Sequence, residues 1–173
     1  TVTDDGKLTA LADGETTITV IHKSGEQVIS VRVVQPVAGP ATLGVEGGVV
    51  QGDGGQLIAF GRGQLAADAS VEVTTLQASD LTVEIPVVMD YVAAFRLDVS
   101  GAEINGPLQM AVPVQGMTAG ETVYFLREYR TNVIDGVMRT YWAAVDTGIV
   151  GADGYARSTS PPWPGLSNGG NIL

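Results

Sequence analysis

Short segments with apolar residues at alternate positions run through this chain, and glycine-containing turns separate them at close intervals. Residues 18–21 (ITVI) and 28–34 (VISVRVV) tend toward the period-two pattern of a half-buried strand. The 173 residues include 23 glycines, and dipeptides such as Asp13-Gly14 and Ser24-Gly25 are typical of chain reversals. No segment keeps a 3.6-residue period for more than two helical turns. The sequence therefore predicts an all-β chain.

The first 35 residues contain only part of what a β-domain needs. They hold one short candidate strand followed by the two longer ones described above. Three strands of this size cannot bury both of their faces. We therefore expect a further surface, supplied from outside this segment, to cover one face of these strands.

A family resemblance accounts for this partial domain. Residues 1–20, TVTDDGKLTALADGETTITV, are similar to the second half of the bacterial Ig-like group 2 (Big2) repeat, and the likeness extends to residue 34. It implies a partial Ig-like sandwich in residues 1–35, whose first strands precede Thr1 in a longer protein or come from another chain. The matching positions are Thr1, Val2, Gly6, Leu8, Leu11, Gly14, Ile18 and Val20.

A second domain follows a short linker. Residues 36–41 (PVAGPA) contain two prolines and a glycine, which favour an extended connection. Seven candidate strands in residues 42–166 predict a second antiparallel β-sandwich, and the glycine-rich residues 167–173 are predicted to be a tail or another linker. The candidate strands are residues 48–51, 56–60, 70–76, 92–99, 108–114, 122–129 and 140–145.

The start of this second domain also resembles a known family. Residues 47–76 are similar to the opening of ZU5-like modules, although Phe60-Gly61 and Gln64 depart from the usual pattern. The resemblance implies a sandwich that contacts other proteins. Some ZU5 modules cleave themselves at a His-Phe-Ser sequence, which this chain lacks, so no autoproteolytic residue is carried over. The matching positions are Gly47, Gly48, Val49, Leu57, Gly63, Leu65, Val71, Val73 and Leu76.

Composition excludes several classes of function. A net charge of −10 with only 9 lysines and arginines argues against nucleic acid and against anionic membrane surfaces. The absence of cysteine excludes disulfides, thiol catalysis and cysteine-based metal sites. No apolar run is long enough for a membrane-spanning helix, so no membrane insertion is expected.

The residues that most often carry catalysis occur here in unsuitable settings. Gly61-Arg62-Gly63-Gln64-Leu65-Ala66 matches a dinucleotide fingerprint, but too few residues follow for the required helix, which indicates a tight corner. The single histidine, His22, precedes a predicted turn. Many acidic residues lie beside glycines, where carboxylates usually stabilise turns. We therefore expect no enzyme and no cofactor, with loop-bound calcium as the alternative left open.

Aromatic residues cluster in the last third of the chain and offer candidate contacts. Tyr141, Trp142 and Trp163 are the residues we select for contact with a ligand or partner, since planar aromatic rings stack on sugars. The other interpretation is packing within the sandwich. The proline-rich residues 158–171 are predicted to dock across the sandwich with Trp163 as the anchor, with binding to a neighbouring subunit as the alternative.

These observations predict a non-catalytic segment of a large secreted or surface-attached bacterial protein, located outside the cell or on its surface. Its role would be spacing, adhesion or assembly, and its partners would be other domains of the parent protein or neighbouring subunits. Two alternatives remain. The sandwich would bind glycans through the aromatic residues above, or the chain would be a filament or decoration subunit that assembles by β-strand addition.

Overall fold

A computed structural model describes residues 8–100, 102–132 and 136–173. In these residues the chain consists of strands and loops, with one 3₁₀ turn at Ala78–Asp80, so the prediction of an all-β chain is confirmed. The chain forms two units, Thr1–Gln35 and Pro36–Leu173. No helix in the described ranges is both long and apolar enough to cross a membrane.

The first unit is built around one antiparallel hairpin. Strand β1 (Gly14–His22) pairs along its whole length with β2 (Gly25–Val33), from Gly14 opposite Val33 to His22 opposite Gly25. The predicted strands and the predicted turn at Ser24-Gly25 fall within this hairpin. The positions Thr1, Val2 and Gly6 of the Big2 resemblance, and the turn at Asp5-Gly6, lie outside the described residues.

The second unit is a single curled sheet of eleven strands whose order is β3-β5-β6-β9-β12-β11-β10-β13-β8-β7-β4. All neighbours are antiparallel except β3 and β5, which are parallel. The strands are β3 (Val37–Ala38), β4 (Ala41–Leu43), β5 (Gly48–Gln51), β6 (Leu57–Phe60), β7 (Ala69–Leu76), β8 (Ala94–Ser100), β9 (Gln109–Pro113), β10 (Thr122–Asn132), β11 (Met138–Val150), β12 (Tyr155–Ser158) and β13 (Gly170–Ile172).

The two ends of this sheet are consecutive in the chain. Strands β3 and β4 are separated only by Gly39 and Pro40, yet β3 pairs with β5 at one end of the sheet and β4 pairs with β7 at the other. Gly39 lies between these partners, and its backbone N–H donates to the carbonyl oxygen of Gln51 at 3.0 Å. One short segment thus holds both ends of the sheet and encloses its inner face.

The core fills this inner face, and the alternation in the sequence explains which side chains reach it. On β8, Phe95 and Leu97 are buried while Arg96 and Asp98 are exposed, as the period-two pattern predicts. The same holds on β7 and β9. The largest fully buried side chains in the described ranges are Phe95, Ile58, Leu65, Leu97, Leu108, Leu166 and Ile172, followed by Val50, Val71, Val150 and Asp146.

Two predictions about the connecting segments are wrong. Residues 36–41 are not a free linker, because Val37–Ala38 and Ala41 pair within the second unit. Residues 167–173 are not a tail, since β13 lies between β10 and β8 and Ile172 is fully buried. Glycine and proline content suggested flexibility in both places. Gly169 instead lets the backbone pass close to Leu97. A Cβ at residue 169 would lie only 2.6 Å from the carbonyl oxygen of Leu97.

The proline-rich segment does dock on the sheet, but its anchor differs from the predicted one. Trp163 remains 36% exposed, whereas Leu166 is fully buried and forms a bridge with Leu108. The backbone N–H of Gly165 also donates to the carbonyl oxygen of Val145 at 2.9 Å. Leu166 is therefore the anchor of this segment.

Candidate functional site

The second unit contains an apolar groove of about 430 Å³ at the end of β13. We call it the β13 groove. One wall comes from the connection before β8, within residues 88–93, and the opposite wall from residues 122–126 of β10. Phe95, Val112 and Val114 form its floor, and Leu173 closes one end. The groove therefore opens onto the core of the unit, in which these floor residues take part.

The groove lies beside the end of β13, between β10 and the connection before β8. Leu173 and Leu126 exchange two backbone hydrogen bonds of 2.8 Å each, one in either direction. Strand β10 runs along the groove from Leu126 back to Thr122, whereas β8 begins only at Ala94. One side of the β13 groove is therefore a strand and the other is the irregular connection before β8.

The side chains that line the groove are mainly apolar. Asp90, Thr122 and Tyr124 are the lining residues with polar side-chain atoms, and the rest are valine, methionine, alanine, leucine and phenylalanine. A cavity of this size with a mainly apolar lining is typical of binding sites.

The connection between β7 and β8 forms one wall of the groove and is attached at three points. The hydroxyl of Thr82 donates to Glu128 at 2.7 Å, and the hydroxyl of Tyr91 donates to the carbonyl oxygen of Leu76 at 3.0 Å. The third point is Trp142, whose Nε1 donates to the carbonyl oxygen of Val83 at 3.3 Å. These bonds hold an otherwise irregular segment against the sheet.

The three aromatic residues selected from the sequence do not form one platform. Tyr141 and Trp142 are consecutive on β11, so their side chains lie on opposite faces of the sheet. Trp163 lies in the loop after β12, which is tied to Asp146 through Ser160. Asp146 is roughly 13 Å along β11 from Trp142, at about 3.3 Å per residue. The described geometry thus gives Trp142 a structural contact and leaves Tyr141 and Trp163 partly exposed at separate places.

Tyr141 belongs to a stacked column that the sequence analysis missed. Its ring lies 6.0 Å from the ring of Tyr129 with an interplanar angle of 21°, and the guanidinium of Arg127 lies 4.6 Å from the centroid of Tyr129. Arg127 also donates to the carbonyl oxygen of Gly169 at 3.1 and 2.8 Å. Cross-strand pairing of Tyr129 with Tyr141 creates the column, and pairing register is not visible in a single strand.

The residues considered for catalysis have structural roles where the structure describes them. His22 lies 3.0 Å from the hydroxyl of Ser24 in the hairpin turn of the first unit. In the fingerprint-like segment, Gly61 N–H donates to Oε1 of Gln64 at 2.7 Å, and Gln64 N–H donates back to the carbonyl oxygen of Gly61 at 3.2 Å. This closes a tight turn, as predicted, and presents no helix N-terminus to a phosphate.

Several acidic residues are engaged in local hydrogen bonds. Bonds from the hydroxyl and the backbone N–H of Thr75, 2.7 Å each, lower the pKa of Asp53. Hydrogen bonds from Arg157, at 2.9 and 2.6 Å, hold the pKa of Asp153 well below its usual range. Within the described residues, no three histidine, cysteine or acidic side chains lie together as metal ligands. Asp4, Asp5 and Asp135 lie outside those residues.

Searches against protein-family models, curated protein sequences and solved structures found no match to this chain.

Sequence reasoning also missed the β13 groove. The segment IPVVMDY (residues 85–91) is mostly apolar but does not alternate, so the sequence predicts neither a strand nor a site there. Its Val87 and Val88 are 100% and 86% exposed. An apolar run in a connection between strands was the available signal, since exposed apolar clusters often mark interaction surfaces.

Proposed function

We propose that this chain is a non-catalytic structural and adhesion segment of a large secreted or surface-attached bacterial protein, acting in spacing, adhesion or assembly. The observation that carries the proposal is the apolar face of the β1–β2 hairpin. The Big2 resemblance, the acidic composition and the structural roles of the acidic residues support it. The hairpin is then one part of an Ig-like sandwich that further strands complete.

The two faces of this hairpin differ in character. On one face, Ile18 lies opposite Ile29, and Val31 and Val33 follow on the same side of β2. The other face is mainly polar, with the directly opposed pairs Thr17–Ser30 and Glu15–Arg32 among its members. Ile29 is 45% exposed and Ile18, Val31 and Val33 are partly exposed. We call the first face the hairpin apolar face.

The hairpin apolar face needs a partner surface for stability. An isolated two-stranded hairpin is at best marginally stable in water. Covering apolar surface stabilises a fold by about 25 cal/mol per Å². A neighbouring set of strands that covers these isoleucines and valines would supply the missing stabilisation. Modules joined in this way provide contacts and spacing between domains rather than catalysis.

The experiment compares two matched pairs of substitutions in the full-length protein, expressed in its own organism. Ile18→Lys with Ile29→Lys places two charges on the hairpin apolar face, and Thr19→Lys with Val28→Lys places two charges at an opposed pair on the other face. Hydrogen exchange of the hairpin amides and adhesion of intact cells are measured. We expect the first pair to abolish amide protection and adhesion, and the second pair to retain both.

Labelling of intact cells with an antibody against this chain tests the proposed location. Absence of surface labelling, together with adhesion that neither pair of substitutions changes, would refute the proposal. Equal loss of amide protection in both pairs would show that the hairpin apolar face has no special role.

Assembly of identical subunits is a second candidate function, because the same face could be covered by another copy of this chain. Sedimentation velocity across a concentration series distinguishes the two. Association that Ile18→Lys with Ile29→Lys removes, and Thr19→Lys with Val28→Lys preserves, would support a filament or decoration subunit. A monomer at every concentration supports completion by other strands.

A further inference from the structure

We propose that β11 binds an extended acidic peptide of a partner protein along Thr140–Ala144, where the peptide adds to the sheet as a further strand. We call this segment the β11 edge. The peptide alternates acidic and apolar residues. The site uses none of the residues that line the β13 groove and does not involve the hairpin apolar face. Three features carry the inference: open backbone groups, a stacked tyrosine and a local excess of arginine.

Strand β11 has a neighbour on its second side along only part of its length. One side pairs with β10 from end to end. On the other side, β12 pairs with Gly148–Val150, and the backbone N–H of Gly165 donates to the carbonyl oxygen of Val145 at 2.9 Å. Among the described residues, no strand pair or backbone hydrogen bond reaches the β11 edge on this second side.

The backbone groups of the β11 edge point toward this open side. In an antiparallel ladder, successive residues direct their N–H and C=O groups alternately to the two neighbouring strands. Leu126, which lies opposite Ala144, uses both of its groups on Leu173, so Ala144 directs its own groups away from β10. By the same alternation, Trp142 and Thr140 also face the open side. The β11 edge is therefore a hydrogen-bonding edge of roughly 13 Å, at about 3.3 Å per residue.

One face beside the β11 edge offers an aromatic ring to an added strand. Tyr141 is 39% exposed, and its ring stacks on that of Tyr129 with 6.0 Å between the centroids. Tyr129 is held in turn by the guanidinium of Arg127, 4.6 Å from its ring centroid. Apolar residues directly opposite an aromatic residue on a neighbouring strand pack against its ring. The peptide positions on this face are therefore apolar.

The other face beside the β11 edge carries a positive charge. Arg130 lies opposite Thr140 in the β10–β11 pairing, so the two side chains share this face. Arg130 is exposed and forms no ion pair within the described residues. An added strand would lie two strand spacings from β10, about 10 Å. Extended arginine and glutamate side chains together cover that distance across the short threonine, so the peptide positions on this face are acidic.

The charge around the β11 edge is opposite in sign to that of the whole chain. The chain has a net charge of −10. Residues 127–132 and 138–144 nevertheless contain three arginines and one acidic residue, Glu128. Complementary charge speeds association and rejects wrong partners. A second copy of this chain fits less well, because residues 138–144 contain no acid and two chains of this net charge repel each other.

The test uses the full chain and a fluorescein-labelled amidated peptide of sequence Glu-Val-Glu-Val-Glu-Val-Glu. The control peptide replaces every glutamate with lysine and retains the valines and the alternation. Fluorescence anisotropy gives the affinities. We expect the acidic peptide to bind, and the basic peptide to bind at least about tenfold more weakly.

A charge reversal in the protein tests the role of Arg130. Arg130→Glu alters the face that would receive the acidic side chains. Lys23→Glu makes the same change in charge at an exposed position in the hairpin turn of the first unit. We expect Arg130→Glu to weaken binding of the acidic peptide by about tenfold or more, and Lys23→Glu to leave it unchanged.

A proline substitution tests the backbone edge separately from charge. Because the N–H of Thr140 points away from β10, Thr140→Pro removes a donor of the β11 edge and leaves the β10–β11 ladder complete. Thr140→Val retains this donor and is the control. We expect Thr140→Pro to weaken binding by about tenfold or more and Thr140→Val to bind as wild type does. Urea denaturation checks that both variants remain folded.

Hydrogen exchange measured by NMR tests the edge itself in the wild-type chain. The amides of Thr140 and Trp142 face the open side and should exchange fast in the free protein, whereas the amide of Tyr141 faces β10 and should exchange slowly. We expect the acidic peptide to slow exchange at Thr140 and Trp142 by at least about tenfold and to leave Tyr141 slow.

Five results would overturn the proposal. No binding up to about 1 mM acidic peptide removes the site. Equal affinity for the acidic and basic peptides removes the role of charge. Binding that a folded Thr140→Pro protein retains places the peptide elsewhere. Slow exchange at Thr140 and Trp142 in the free monomer shows that the edge is already paired. Protection of these amides that grows with protein concentration assigns the edge to a second copy.

Discussion

The hydroxyl of Ser160 donates a 2.6 Å hydrogen bond to Oδ2 of Asp146, a carboxylate that is fully buried in β11. Oδ1 of the same carboxylate accepts the backbone N–H groups of Thr147 at 2.8 Å and Thr159 at 3.3 Å. Asp146 thus connects the loop after β12 to the middle of the sheet. It stands beside the irregularity in the β10–β11 register, where Phe125 pairs with Asp146 but Leu126 pairs with Ala144.

Replacing Asp146 with alanine should destabilise the second unit strongly. The substitution removes three buried hydrogen bonds and leaves the backbone N–H of Thr147 without an acceptor, which costs about 1–3 kcal/mol. The N–H of Thr159 keeps the carbonyl oxygen of Thr147 at 2.9 Å, and the hydroxyl of Ser160 keeps the carbonyl oxygen of Trp163 at 3.1 Å. We expect a loss of about 3 kcal/mol in the free energy of unfolding, measured by urea denaturation, and about 1 kcal/mol for Ser160→Ala. Asp98→Ala, at an exposed position of β8, is the control. An Asp146→Ala protein as stable as this control would contradict the network.

Two glycines with positive φ should respond very differently to alanine. Gly47 has φ +67°, and a Cβ there would overlap the carbonyl oxygen of Phe60, whereas Gly116 has φ +77° and open space around it. For Gly116→Ala we expect a loss in the free energy of unfolding of about 1–2 kcal/mol, the cost of holding alanine in the left-handed backbone conformation. Gly47→Ala adds displacement of the β6 backbone, and we expect about 3 kcal/mol or more. Equal melting temperatures for the two variants would show that the turn before β5 shifts freely.

The parts of the fold that were predictable depend on local pattern. The alternation of Phe95 and Leu97 with Arg96 and Asp98 predicted both the strand and its buried face. The role of β13 was not predictable in this way, because three residues are too few to show a period. Its burial results from β10 and β8, which lie more than 35 residues earlier in the chain.

The candidate site was also harder to predict from the sequence, because it depends on contacts between residues that are distant in the chain. The selection of Tyr141, Trp142 and Trp163 was based on residue type. Only the three-dimensional pairing shows that Tyr141 stacks on Tyr129 and that Trp142 bonds to Val83. The β13 groove forms between β10 and the connection before β8, and packing between segments so distant in the chain leaves no mark in a single segment.

Stability should fall in acid partly through Asp53. Hydrogen bonds from Thr75 depress its pKa in the folded protein, so this group contributes stability above its unfolded pKa of about 3.9 and loses it as pH falls through the folded pKa. Urea denaturation between about pH 5 and pH 2 should show the wild-type advantage over Asp53→Asn shrinking as pH falls. Asp98→Asn controls for the removal of one negative charge. A constant difference between wild type and Asp53→Asn across this range would contradict the assignment.

Trp142 should control the order of the connection that forms one wall of the β13 groove. Trp142→Phe retains most of the ring but removes the Nε1 donor to Val83, at a cost of about 1 kcal/mol. We expect faster hydrogen exchange in residues 81–93, because the wall is then less fixed. Tyr141→Phe, on the opposite face of the same strand, is the matched control and should leave this exchange unchanged. If Trp142→Phe alters global stability without a specific change in residues 81–93, the bond to Val83 does not hold this connection in place, and the groove wall depends on Thr82 and Tyr91 alone.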